Sequence, residues 1–139
     1  MGLELADTSA WTNRHKADAV RQDFDVRVQR GKIATAEMVM LELLWTTRDH
    51  ADFVAARTEL AALPQIRIGR RVWSRAVDVF ERFAESGPLH HRGVAFPDLL
   101  IAAAAEVAEV PLCHHNRDFE LIAEITGQPV RAIAPLGSL

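Results

Sequence analysis

Cysteine occurs once, as Cys113, which excludes an intramolecular disulfide and any structural zinc site made of cysteines alone. Lysine is nearly absent: Lys16 and Lys32 stand against fourteen arginines. Six prolines and seven glycines are too few for a linker or a disordered chain. The longest uncharged apolar run, Leu99 to Ala105, is far too short to span a bilayer. The opening MGLELADTSA carries acids at Glu4 and Asp7 and no basic stretch, so no signal peptide is expected. No G-x-S-x-G elbow and no Walker loop occurs, which removes the main support for a hydrolase triad or a nucleotide triphosphatase. A basic excess is missing too. The formal charge of −3 argues against a protein that holds nucleic acid by bulk charge. What is there is an ordinary soluble composition, 49% apolar and 25% charged over 139 residues. That length predicts one domain with a sizeable core, in a cytoplasmic protein.

Strand-like and helix-like segments alternate. Strands are predicted at 3–7, 32–35, 66–68, 110–113 and 130–134. Helices are predicted at 8–30, 37–47, 52–63, 70–84, 97–109 and 117–126. Thr8 and Ser9 offer cap chemistry, Gly31 a stop, and Pro97 a first helical residue. In 70–84, Val72, Trp73, Ala76, Val77 and Phe80 are expected to face inward, with Arg71, Arg75, Asp78 and Arg82 outward. The alternation predicts an α/β fold: a doubly wound, mainly parallel five-stranded sheet with helices on both faces.

Sites in such sheets form beyond the carboxyl ends of the strands. Asp7 ends the first strand, Asp98 opens a helix, and Asp118 follows the fourth strand across a short bridge. If the first and fourth strands are neighbours, Asp7 and Asp118 face each other across the crevice. Glu42 sits mid-helix among Met38, Leu41 and Trp45, where a carboxylate is costly unless paired or bound to a cation. Each acid has a plainer reading. Asp7 and Asp118 fit helix caps, Asp98 a dipole complement, and Glu42 the edge of an apolar stripe. Four acids converging on one sheet edge are harder to explain that way, because their repulsion opposes folding unless cations neutralise them. All-oxygen ligation suits Mg²⁺ or Mn²⁺, which can activate a water and stabilise charge developing on a phosphodiester. Cys113, His114 and His115 invite a zinc reading, but three adjacent residues at a strand end cannot all face one ion.

The pieces LADTSAW, MVMLELLW, FPDLLIAAAA and PLCHHNRDFELIAEITGQPV span nearly the whole chain. Together they resemble the PIN-domain ribonucleases, specifically the VapC-type toxins of toxin–antitoxin pairs. The last two pieces are the most specific: an Asp opening an Ala-rich helix, then a strand, then Asp-Phe followed by Ile-Ala. The resemblance implies one PIN-like domain over 1–139 with strand order 3-2-1-4-5, which makes the first and fourth strands neighbours. It implies an endoribonuclease with Mg²⁺ or Mn²⁺ held by Asp7, Glu42, Asp98 and Asp118, and with Thr8 as a hydroxyl near the site. Hydrolysis would leave 5′-phosphate and 3′-hydroxyl ends. It also implies a homodimer, no membrane, and a small antitoxin that can place a basic side chain in the acidic pocket. One position departs from the pattern. Asn116 stands where the family often has Asp, so an oxygen ligand is kept and a charge is lost.

Residues 67–92 hold six arginines and three acids. Arg71, Arg75 and Arg82 form a solvated helix face or a rim guiding RNA toward the acids, and Arg92 in the polar His90-His91-Arg92 loop is a further candidate RNA contact. Trp11 is either a base-stacking platform or core. Two alternatives compete with the nuclease. A phosphoryl-accepting receiver domain fails because Gly69, not Asp, follows the third strand and no lysine follows Lys32. A PIN-like module that binds RNA or an antitoxin without turnover is motivated by Asn116.

Overall fold

Four short strands set the frame of the computed structural model, which describes residues 2–139. They are β1 (Glu4–Ala6), β2 (Ile33–Ala34), β3 (Leu112–His114) and β4 (Val130–Ala132), all parallel, in the order β2-β1-β3-β4. The helices are α1 (Thr8–Asn13), α2 (Asp18–Gln29), α3 (Glu37–Trp45), α4 (His50–Ala61), α5 (Arg70–Ser86), α6 (Phe96–Val107) and α7 (Arg117–Thr126). The first and fourth of the expected strands are neighbours: Leu5 pairs with Leu112 and Ala6 with Cys113.

The expected strand at 66–68 is reduced to one parallel bridge, Thr35 to Gln65, beside β2. Thr35 N–H donates to Pro64 O at 2.9 Å and Ile66 N–H to Thr35 O at 2.8 Å, and the pairing stops there. The cause is β2 itself. Ala36 already caps α3, so the edge offers no further partner. The lateral order is therefore the doubly wound one, with four strands instead of five.

β1, β2 and β3 are buried on both faces, as parallel strands commonly are, and the edge strand β4 is half-buried. Leu5 faces a core built with Val39, Val72, Val79, Phe83, Phe119 and the run Leu99 to Ala105. Ala6 faces the other core, with Ala10, Phe24, Ile33 and Cys113. Alanines 102–105 are all buried, so α6 approaches the sheet closely without large side chains. No described helix is long and apolar enough to cross a membrane.

Two expectations are corrected here. The single helix predicted over 8–30 is broken by a 3₁₀ turn at Arg14–Lys16 and by the extended Ala17. The break folds α2 back so that Trp11 meets Phe24 edge-on, with centroids 4.9 Å apart and Arg14 stacked over both rings. In α5 the inward stripe is Val72, Ala76, Val79 and Phe83, while Trp73 and Val77 are 58% and 65% exposed. The stripe alternates steps of four and three, a better match to 3.6 residues per turn than the cluster read from the sequence.

One buried carboxylate ties the sheet together. Glu4, only 6% exposed, accepts two hydrogen bonds from Arg131 on β4 at 2.8 and 2.9 Å and one from Arg27 on α2 at 3.3 Å. Replacing Glu4 by Ala would leave Arg131 without its counter-ion and Arg27 with Asp23 alone. Urea unfolding of Glu4→Ala is expected to give a stability loss of about 3 kcal/mol.

Candidate active site

Asp7 follows β1 directly. Its N–H continues the ladder to Cys113 O at 2.9 Å, and its extended backbone (φ −70°, ψ 160°) makes it the cap of α1. Oδ2 accepts from Ser9 N–H at 2.8 Å. Oδ1 is buried and has no hydrogen-bond partner. Burial pushes the Asp7 carboxyl above its usual range, the Ser9 hydrogen bonds oppose that, and the charge of Glu42 adds to it.

Asp98 enters from the first turn of α6, where a proline at the helix start fixes the backbone. It makes no cap hydrogen bond. Its carboxyl is pushed up to about 7, first by burial, then by the charge of Asp7, then by Asp118, with Glu42 contributing last. A carboxyl perturbed by three other carboxyls places all four in one electrostatic unit.

Asp118 lies half-buried in the first turn of α7. It does not cap that helix. Asn116 does: its Oδ1 accepts from Asp118 N–H at 2.9 Å. Asn116, the expected assisting ligand, is thus the cap of α7, with one lone pair of its Oδ1 engaged by that amide. Glu42 on α3 is half-buried and accepts from Thr8 Oγ1 at 2.8 Å, which links α3 to α1. The stripe expected beside it is not the buried face of α3. Leu41 and Trp45 are 63% and 87% exposed, and Val39 and Leu44 are buried instead. This helix is apolar nearly all round, so periodicity alone could not orient it.

Ser9 completes the frame. Besides donating to Asp7, it accepts from His115 N–H through Oγ at 2.9 Å, tying α1 to the turn after β3. The sequence signalled Ser9 only as a cap candidate. Its partner lies across the sheet, and no local pattern encodes that.

Among the described residues, none of the four carboxylates takes part in a salt bridge. Glu4 at the other end of the same strand has two arginines. Equally buried carboxylates three residues apart thus have opposite surroundings, and the orphaned Asp7 Oδ1 faces the end that lacks a cation. An oxygen-only donor set of this kind fits a hard divalent cation. Among the described residues no group of three His, Cys, Asp or Glu side chains is arranged so that it could hold a metal ion by itself. That is compatible with an ion such as Mg²⁺, which keeps several waters and takes few direct protein ligands. A zinc site at Cys113 is ruled out by geometry. Its Sγ is buried against Arg131 at 3.3 Å, burial pushes the thiol up to about 12, and both ring nitrogens of His114 are engaged inside the protein.

The candidate RNA contacts separate. Arg75 is paired with Glu106 through two hydrogen bonds, which raises its pKa. Glu106 lies about 12 Å further along α6 than Asp98. Arg71 shares a mixed-charge recess with Arg75, Glu106 and Glu109. These two arginines belong to that recess, and Arg92 stands apart from it. That residue is exposed in the 3₁₀ turn His90–Gly93, which leads directly into α6. Trp11 belongs to the core and not to a stacking platform.

Comparison with known proteins agrees with this geometry. Residues 5–125 match the PIN domain. The chain is 35% identical to Ribonuclease VapC18 of Mycobacterium tuberculosis, over 96% of each chain. It is 36% identical to Ribonuclease VapC21 of the same organism, again over 96% of each. Among solved structures, it superposes on DNA-bound VapBC from Salmonella typhimurium with TM-score 0.70 at 16% identity, covering 96% of this chain and all of the other. VapBC2 from Rickettsia felis, bound to a promoter DNA fragment, gives TM-score 0.69 at 16% identity, covering 94% and 98%. With its full-length relatives among the VapC ribonucleases, the chain belongs to the PIN-domain family.

Proposed function

We propose that this protein is a Mg²⁺- or Mn²⁺-dependent endoribonuclease, the toxin of a toxin–antitoxin pair. The observation that supports this most strongly is the contrast along β1: a buried Glu4 with two arginines, and a buried Asp7 with a bare oxygen among three further carboxylates. Asp7, Asp98 and Asp118 would hold the ion. When bound, it would supply the positive charge that a polyanionic substrate and a developing phosphorane both need. Glu42, held by Thr8, would orient the attacking water or add a ligand oxygen. Thr8 fixes that carboxylate by donating its hydroxyl hydrogen. Arg92 sits on the approach to α6 and would meet substrate phosphates.

A small antitoxin is the proposed protein partner, and a second copy of the chain is the other. Large apolar side chains are exposed for such contacts: Leu41 and Trp45 on α3, and Trp73, Val77 and Phe96 along α5 and the start of α6. An antitoxin arginine or lysine placed among the acids would substitute for the cation and block the site. The setting of such a reaction would be the cytoplasm.

Cleavage mapping with purified protein tests the reading. Mn²⁺ is expected to support RNA cleavage, EDTA to abolish it, and Asp98→Asn to lower the rate on the order of 100-fold or more. Equal cleavage in excess chelator would refute the metal site. RNA binding without any Mn²⁺-dependent turnover would leave a binding module in place of an enzyme.

The Asp98 carboxyl also sets a pH dependence for the metal-free protein. Its pKa is raised from 3.8 to about 7, so between those values the folded state holds more protons than the unfolded one. The stabilisation from that proton is complete below 3.8 and lost as pH rises to about 7. In EDTA, melting temperature is expected to fall between pH 5 and pH 8. Asp98→Asn, which stays neutral, is expected to melt several degrees higher than the wild type at pH 8. A variant that melts lower there would contradict the assignment.

A further inference from the structure

We propose that His114 is a positioning residue for this site: its Nδ1 fixes Asn116, and Asn116 fixes Asp118. The proposal rests on the metal-dependent reading above.

His114 is fully buried at the end of β3, against the ring of Phe119 at 5.4 Å. A buried imidazole needs partners for both nitrogens, and here it has them. Asn116 N–H donates to Nδ1 at 3.0 Å, so Nδ1 is unprotonated and the ring hydrogen is on Nε2, 3.1 Å from Glu120 Oε1. An apolar residue of the same size would fill the core equally well. It would leave the Asn116 amide without an acceptor, which marks the imidazole as more than packing.

The turn it controls is short and has few ladder bonds. His115 N–H ends on Ser9 Oγ, Asn116 N–H on His114 Nδ1, and Asp118 N–H on Asn116 Oδ1. The last two share one geometry, a side chain accepting from the amide two residues on. Asn and Asp side chains commonly do this in turns. His114 does the same with a ring whose far side is anchored to Glu120. The path from the buried strand to the Asp118 carboxylate is thus a chain of side-chain acceptors. Displacing the first link rotates the cap and moves the Asp118 carboxylate, one of those that raise the Asp98 carboxyl.

Two isosteric variants separate positioning from bulk. In His114→Asn, Oδ1 falls near the Nδ1 position and keeps the acceptor. In His114→Gln, Oε1 falls near Nε2 and loses it. Two measurements are needed: Mn²⁺ affinity by calorimetry without RNA, and the scalar coupling across the hydrogen bond between Asn116 N and His114 Nδ1 in ¹⁵N-labelled, metal-free wild type. The coupling is expected in the wild type. His114→Asn is expected to bind Mn²⁺ within about 3-fold of the wild type, and a folded His114→Gln about 10-fold or more weakly. No coupling in the wild type would overturn the proposal. So would a folded His114→Gln that binds Mn²⁺ as well as the wild type, or a folded His114→Asn that loses binding. A wild type that shows the coupling yet binds no Mn²⁺ would instead overturn the metal reading beneath it. Should His114→Gln not fold, the coupling and His114→Asn decide the matter.

Discussion

Buried carboxylates at the two ends of one three-residue strand set the terms for the rest of this structure. A carboxylate removed from water must be neutralised, paired or protonated. Glu4 is paired, by arginines from a neighbouring strand and from a helix. Asp7 is not. It has one amide donor for one oxygen and none for the other. The neighbouring acids then share the consequence, and Asp98 retains its proton to about pH 7. A fold that supplies two arginines at one end of β1 and none at the other separates a paired charge from an unpaired one along a single strand. The proposed divalent ion restores at Asp7 the balance that Arg131 and Arg27 provide at Glu4.

Legibility in the sequence follows the range of the interaction. Asp7, Asp98 and Asp118 were readable because each stands at a strand-to-helix junction or in a first helical turn, and parallel α/β sheets put such junctions on one edge. The family resemblance then fixed which strands are adjacent. Helix 117–126 was readable to the residue, and Gly127 beyond it takes the left-handed backbone (φ +74°) that commonly ends a helix. The faces of α3 and α5 were not readable. Both helices carry apolar residues beyond one stripe, and only tertiary packing decides that Val79 goes in and Val77 stays out. The expected third strand failed because strand formation depends on the length of the partner, and β2 is two residues long.

Caps were readable in part: the sequence offers Asp7 beside Thr8 and Ser9 for α1, and Asp118 for α7. Asp, Asn, Ser and Thr are nearly interchangeable by composition at a helix start. The structure gives the role to Asp7 in α1, not to Thr8 or Ser9, and to Asn116 in α7, not to Asp118. That distribution has a chemical sense. A capping oxygen is held to one direction by the amide it accepts from. Asp7 caps with Oδ2 and keeps Oδ1 free, while Asp118 is relieved of capping altogether by its neighbour. The departure at Asn116 therefore does not simply weaken an acidic cluster. It supplies a neutral acceptor at a position where a carboxylate would add repulsion to a site already unable to ionise fully at neutral pH.

The formal charge of −3 is concentrated in the same cluster of acids. The four site acids contribute −4, so the remainder of the chain sums to +1. That remainder is not a basic field waiting for a polyanion. Arg27, Arg75 and Arg131 are engaged with Glu4 and Glu106, and Arg14 is stacked over Trp11 and Phe24. The attraction needed to bring a phosphodiester against Asp7, Asp98 and Asp118 would then come from the ion itself, with exposed Arg92 assisting on the approach to α6. In such an arrangement affinity and reaction chemistry depend on one charge, so loss of the cation removes both. Under the proposed function a basic antitoxin side chain would have a direct means of control, because whatever took the place of the ion would inherit its attraction to the acids without its capacity to hold a phosphate.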